Sequence, residues 1–179
     1  MDFTIRAVRP EEYDTLGELT VRAYVDDGHL AADDGYLVHL RDVAARAEVA
    51  EVLVAVEEGA VSEEDENGAG AGTVLGGVTF VAAPGLLGER ARAGEAEIRM
   101  LAVGHAARGR GAGEALVRAC VERARAVPGC SAIVLSTQPG MRGAHRIYER
   151  LGFRRTPERD WSPVPERPSF VLMCYALEL

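Results

Sequence analysis

Apolar positions recur along the chain with two periods, and the switches between them lay out its elements. Asp2 to Val8 alternates as a first strand, and Pro10 followed by Glu11 and Glu12 opens a helix. Proline is tolerated in a first turn, and acids there face the positive end of the helix dipole. Tyr13, Leu16, Leu19 or Thr20, and Ala23 then recur at helical spacing. Asp26-Asp27-Gly28 breaks that helix, a small, acidic, turn-rich segment runs to Gly35, and Tyr36, Leu40, Val43 and Ala47 define a second amphipathic helix. Val52 to Val56 and Val74 to Ala82 are β-branched runs that predict neighbouring antiparallel strands.

Between those strands, 57–73 is acidic at first and then small, which predicts a flexible loop insertion in the hairpin. Pro84 to Gly94 is another irregular connection, leading to a central strand from Glu95 to Val103. A helix from about Gly111 to Ala126 places Leu116, Val117, Cys120, Val121 and Ala124 on one face and stops at Val127-Pro128-Gly129. Ala132 to Ser136 reads as a buried strand, and Ala144, Ile147, Tyr148 and Leu151 form the stripe of a last helix capped by Gly152. Phe153 to Thr156 and Ser169 to Leu179 are the final strands, joined by a proline-rich loop holding Trp161. The order β-α-α-β-β-β-α-β-α-β-β predicts an α/β (α+β) fold, a mixed sheet with helices on its faces, as a single domain over 1–179.

The chemistry concentrates where the central strand meets the next helix. Glu-Ala-Glu-Ile-Arg-Met-Leu-Ala-Val is followed by Gly-His-Ala-Ala, then by Arg108-Gly109-Arg110-Gly111-Ala112-Gly113. Glycines let a backbone approach a phosphate and aim successive N–H groups at one point, and the helix start adds unpaired amides and a positive dipole end. Two phosphate motifs fail here. Gly109, Gly111 and Gly113 are spaced by two, unlike the dinucleotide fingerprint, and Glu114-Ala115 stands where a P-loop needs Lys-Ser/Thr.

Arg-x-x-Gly-x-Gly after a strand ending in Leu-Ala-Val resembles the acyl-CoA motif of the GCN5-related N-acetyltransferases (GNAT). The segment Gly143 to Phe153, ending in Tyr-x-x-x-Gly-Phe, resembles the closing motif of the same family. The resemblance covers roughly Val52 to the C-terminus and implies a mixed, mostly antiparallel sheet in the GNAT fold. It implies direct transfer of an acetyl group from acetyl-CoA to a primary amine in a ternary complex, with no metal and no covalent acyl-enzyme. It carries cofactor contacts onto Arg108, Gly109, Arg110, Gly111, Ala112 and Gly113, and onto Leu101, Ala102 and Val103, whose backbone would meet the pantetheine and thioester. Tyr148 matches the general acid toward the departing thiolate, a contact it shares with cofactor binding, and Glu97 matches the base of the histone-acetylating branch. One position departs: Met141 stands where relatives often carry a cofactor-contacting asparagine.

Strand alternation puts Glu97, Arg99, Leu101 and Val103 on one face. Glu97 can therefore serve as base, directly or through water, or rest in a plain ion pair with Arg99. A phenol of ordinary pKa about 10 is protonated at neutral pH and can donate. His105 and His145 lie near the motifs as loop or surface residues.

Composition narrows the setting. The 179 residues are 47% hydrophobic and 27% charged, an ordinary globular balance. A net charge of −8 argues against nucleic-acid binding and either mildly favours a cationic acceptor or simply keeps the protein soluble. The resemblance implies that the link between the first two helices walls the acceptor side, so Asp26, Asp27, Asp33 and Asp34 either meet a cationic substrate or are solvated in an exposed turn. No apolar run reaches a membrane span and the first residues lack a signal-peptide pattern. Three cysteines without Cys-x-x-Cys read as reduced thiols in a cytoplasmic protein, Cys120 packing on its helix stripe. The acceptor, a small molecule or a protein amine, has no readable motif, and homodimer pairing through the C-terminal strands would suit the fold. A non-catalytic acetyl-CoA sensor and an acyltransferase for longer chains are the competing readings.

Overall fold

The computed structural model describes residues 3–58 and 72–179. Most of the predicted 57–73 insertion, residues 59–71, lies outside the described residues. The strands are β1 (Thr4–Ala7), β2 (Glu51–Glu57), β3 (Thr73–Val81), β4 (Glu95–Val103), β5 (Ala132–Thr137), β6 (Arg154–Arg155) and β7 (Met173–Glu178). The helices are α1 (Tyr13–Asp26), α2 (Leu37–Arg41), α3 (Val43–Val49), α4 (Ala112–Ala126) and α5 (Arg142–Arg150). The strands form one seven-stranded sheet in the order β1-β2-β3-β4-β5-β7-β6, antiparallel throughout except for β4 and β5.

Helices cover both faces because the strands are apolar on both. Leu116, Val117, Cys120, Val121 and Ala124 of α4 pack with Tyr148 and Phe153 on Leu53, Phe80, Ile98, Ile133 and Leu135. On the other face, Leu16 of α1 and Val43 of α3 meet Val52, Val54 and Val56, while Val21, Leu37 and Leu40 meet Met100. The predicted second helix is two helices. Asp42, with φ −80° and ψ 76°, breaks the run after Arg41, and its carboxylate accepts the Ala45 amide at 3.0 Å to start α3. The last strand is shorter than predicted, since Leu172 pairs only in an isolated bridge with Trp161 before β7 begins.

The central strand carries the largest departure. Between the pairs Gly77↔Ala102 and Thr79↔Arg99, β3 advances two residues and β4 three. Met100 absorbs the extra residue at φ +53°, a conformation seldom taken by non-glycine residues. Alternation therefore fails across it. Arg99 and Met100 both address the α1–α2 face, through Tyr36 and through Val21, Leu37 and Leu40, whereas Leu101 and Val103 pack on the α4 core. The expectation that Glu97, Arg99, Leu101 and Val103 share a face holds only up to this bulge.

Candidate active site

Ladder pairing of β4 with β5 runs from Glu95↔Ala132 to Ile98↔Leu135 and stops there, although β4 continues to Val103 and β5 to Thr137. Leu101, Ala102 and Val103 thus have β3 beside them at one edge and a parting from β5 at the other. The bulge at Met100 sits at the start of that parting.

The glycine turn closes its far end. Gly109 and Gly111 take φ +76° and +86°, and a Cβ built on either would meet nothing within 4 Å. Their freedom is needed for the backbone, and the space in front of them is open, as an anion cradle requires. Ala112 and Gly113 form the first turn of α4, whose amides lack helical partners. These observations fit the diphosphate of acetyl-CoA. A groove of about 560 Å³ opens beside the turn, lined in part by Leu19, Arg22, Leu75, Gly104 and Arg110, with no residue of β5 in its wall.

Both arginines of the turn have acidic partners. Arg108 donates Nη1 and Nη2 to Asp27 Oδ1 and Oδ2 at 2.9 and 2.7 Å and approaches the Val103 carbonyl at 3.4 Å. His105 Nε2 stands 3.2 Å from the same Asp27. Arg110 pairs with Glu57. The Arg108 guanidinium holds the Asp27 carboxyl below its ordinary range. Of the acids expected to meet a cationic acceptor, Asp27 is therefore engaged with the turn, and Asp34 accepts the Tyr36 amide at 2.8 Å and lies 3.6 Å from Arg167.

Tyr148, only 4% exposed, projects from α5 into the core, 5.9 Å from the Phe153 ring and 5.8 Å from Tyr175. Burial raises its phenol well above the ordinary value, so it is protonated across the neutral range. Ile147 and Val103 pack closely over Gly113, joining α5, β4 and the glycine turn. His145 Nε2 lies 3.0 Å from the Gln138 carbonyl and 3.3 Å from Thr137 Oγ1, with burial lowering its pKa. Thr137 Oγ1 also meets Met141 Sδ at 3.6 Å.

Glu97 is 2% exposed, and its Oε2 accepts the amides of Arg90 and Ala91 at 2.9 and 3.0 Å. Burial raises its pKa above 4.5, opposed by those two bonds and by the field of Arg99. The ion pair of Arg99 is with Glu89 at 3.1 Å, and its other partners are the Leu87 carbonyl at 2.9 Å and the Tyr36 hydroxyl at 3.4 Å. No ion pair joins Glu97 and Arg99 among the described residues.

Sequence reasoning placed Asp27 on the acceptor side rather than at the glycine turn, and missed Glu57, Arg46 and Tyr36 as neighbours of this region. Arg46 is the one with a signal, since it stands beside Ala47 and three residues after Val43, within the apolar stripe. No helix among the described residues is long and apolar enough to cross a membrane, and no group of three His, Cys, Asp or Glu there could hold a metal ion.

The same fold recurs in solved structures. The yncA protein of Salmonella typhimurium, solved with its cofactor acetyl-CoA, superposes with a TM-score of 0.68 at 22% identity, over 100% of this chain and 95% of that one. A GNAT-family acetyltransferase of Staphylococcus aureus Mu50 gives 0.70 at 12% identity over 99% of each chain. A ribosomal-protein-alanine N-acetyltransferase of Brucella melitensis gives 0.66 at 19%, over 98% and 99%. No protein with a curated description is similar enough in sequence to match. At these identities the superpositions establish the fold, and the sequence itself carries the assignment: the model of the Acetyltransferase (GNAT) family matches residues 31–153, a span holding both β4 with its glycine turn and α5 with Tyr148, so the chain belongs to this family of acetyl-CoA-dependent N-acetyltransferases.

Proposed function

We propose that the protein transfers an acetyl group from acetyl-CoA directly to the primary amine of a bound acceptor, both reactants being held at once. The observation that carries this reading is the end of β4–β5 pairing at Ile98↔Leu135, beside the open cradle of Gly109 and Gly111. Acetyl-CoA supplies the activated acyl group as a thioester. The amides of the glycine turn and of the first turn of α4, with Arg108 and Arg110, would hold the diphosphate, and the free edge of Leu101, Ala102 and Val103 would receive the arm. An amide near Leu101 would bind the carbonyl oxygen as negative charge develops there.

Tyr148 would return a proton to the sulfur, a task that suits a phenol kept protonated by burial. Glu97, on the opposite face of β4, would take the proton of the incoming ammonium, directly or through water. Its raised pKa and fixed orientation favour that role.

The test is mass-spectrometric detection of acetyl transfer from acetyl-CoA to a panel of amines, with acetyl-CoA binding measured separately by calorimetry. Transfer to one amine class supports the reading. Binding without transfer to any amine would favour the sensor reading, and absence of binding would overturn both.

A further inference from the structure

On the α1–α2 face of β4, positive charge outweighs its direct partners. Arg46 is 4% exposed, and its guanidinium donates to Thr79 Oγ1 at 3.0 Å and to the Leu40 carbonyl at 2.8 Å, both neutral. Its Nε is buried without a partner, and no carboxylate lies within ion-pair distance of it among the described residues. Thr79 stands opposite Arg99 in the β3–β4 ladder, and both arginines act electrostatically on Tyr24 and Tyr36. A buried cation without a counter-charge is costly, and a group that supplies one is correspondingly favoured.

Among the described residues the only carboxylate paired with either arginine is Glu89, which is 49% exposed on the loop after β3, while the Arg99 side chain is 15% exposed. An exposed partner of that kind is replaceable, because water compensates it when it leaves. Glu97 stands two residues before Arg99 on the same face, about 7 Å along a strand. Its Oε2 is spoken for by two amides, and it makes no bond to Arg99. One face of one strand therefore presents an anion and a cation in sequence, unpaired with each other, where β4 leaves β5.

We infer that the acceptor is a zwitterion of the amino-acid type, its ammonium directed to Glu97 and its carboxylate to Arg99 in exchange for Glu89. This rests on the acetyl-transfer reading above and adds the acceptor class. Arg99 is thus a specificity-determining residue.

The experiment compares matched acceptors with acetyl-CoA: the common L-amino acids, their α-amides and the corresponding decarboxylated amines, each followed by mass spectrometry. Loss of a charge-assisted bond predicts kcat/KM at least about tenfold higher for an amino acid than for its amide or amine. Arg99→Gln should erase that preference by raising KM for the amino acid while KM for the amine changes little. Arg99 also ties down Leu87 and Glu89, so Glu89→Gln separates the two roles: loss of a competing carboxylate lowers KM for the amino acid, whereas a mere loop tether gives unchanged or weaker binding. Equal use of amine and acid, transfer only to acceptors lacking a carboxylate, or no transfer to any of them despite bound acetyl-CoA would overturn the inference. Failure to bind acetyl-CoA would instead overturn the reading beneath it.

Discussion

Asp27, at the end of α1, receives both terminal nitrogens of Arg108, at 2.9 and 2.7 Å, from a turn 81 residues further along the chain. The carboxylate holds the guanidinium as a phosphate would, so on the proposed reading acetyl-CoA would share or displace it. Asp27→Asn should tighten acetyl-CoA binding severalfold at low ionic strength, and the gain should shrink with added salt. The pair is partly exposed, and its loss should cost about 0.2–1 kcal/mol of stability. Because the folded pKa of Asp27 is depressed, that stability is present above the unfolded value near 3.8 and is lost as pH falls through the folded one. Calorimetric titration and denaturant melts at pH 7 and pH 3 check both statements.

Removing the Tyr148 hydroxyl leaves its packing against Phe153 and Tyr175 in place. Tyr148→Phe should lower kcat by about tenfold or more with little change in acetyl-CoA affinity. Steady-state kinetics beside direct binding separates the two quantities.

Glu97 carries a raised pKa, so its ionised form is what activity requires and what folding disfavours. On the proposed mechanism kcat/KM should fall as pH drops through that raised value, and Glu97→Gln should abolish this limb while depressing the plateau. A raised carboxyl contributes stability below its unfolded pKa that is lost as pH rises through the folded one. Glutamine keeps an oxygen for the Arg90 and Ala91 amides, so the variant should melt at neutral pH no earlier than the parent. A Glu97→Gln variant that folds and keeps the parental pH profile would remove the base assignment.

At Gly111 an added methyl meets no atom within 4 Å, so the cost of Gly111→Ala is purely that of φ +86°. About 1–2 kcal/mol of stability should be lost. The amides would also be re-aimed, and acetyl-CoA binding should weaken. Thermal melts with and without acetyl-CoA distinguish the two effects.

The thiols should differ sharply in reactivity. Burial pushes the Cys120 thiol up to about 12, Cys174 is buried and donates to the Arg159 carbonyl at 3.0 Å, and Cys130 is half-buried. Alkylation of the native protein followed by peptide mapping should find Cys130 modified first and Cys120 last.

Periodicity located the principal strands and helices because each buries a continuous apolar set, and the α4 stripe of Leu116, Val117, Cys120, Val121 and Ala124 is buried as expected. The glycine turn was legible as backbone, because alternating glycines ahead of an amphipathic helix signal positive φ, which Gly109 and Gly111 adopt. The bulge at Met100 was not, since one extra residue leaves the apolar pattern of β4 intact and changes only the side to which it points. The break at Asp42 was not legible either, because a capping aspartate inside an apolar repeat looks like a polar face. The pairing of Arg108 with Asp27, and the burial of Arg46 against Thr79, depend on contacts between distant segments that no local pattern records.

Met100 divides β4 into two lengths that answer to different neighbours. Before it, Glu97 and Arg99 belong with α2 and the loop at 84–94; after it, Leu101 and Val103 belong with α4 and α5. On the proposed reading the two lengths can therefore drift separately: a substitution at 99 would retune what is acetylated without disturbing the grip on the donor. A one-residue deletion at the bulge would do the reverse, turning charged side chains inward and coupling every later change in acceptor choice to the packing of the donor site.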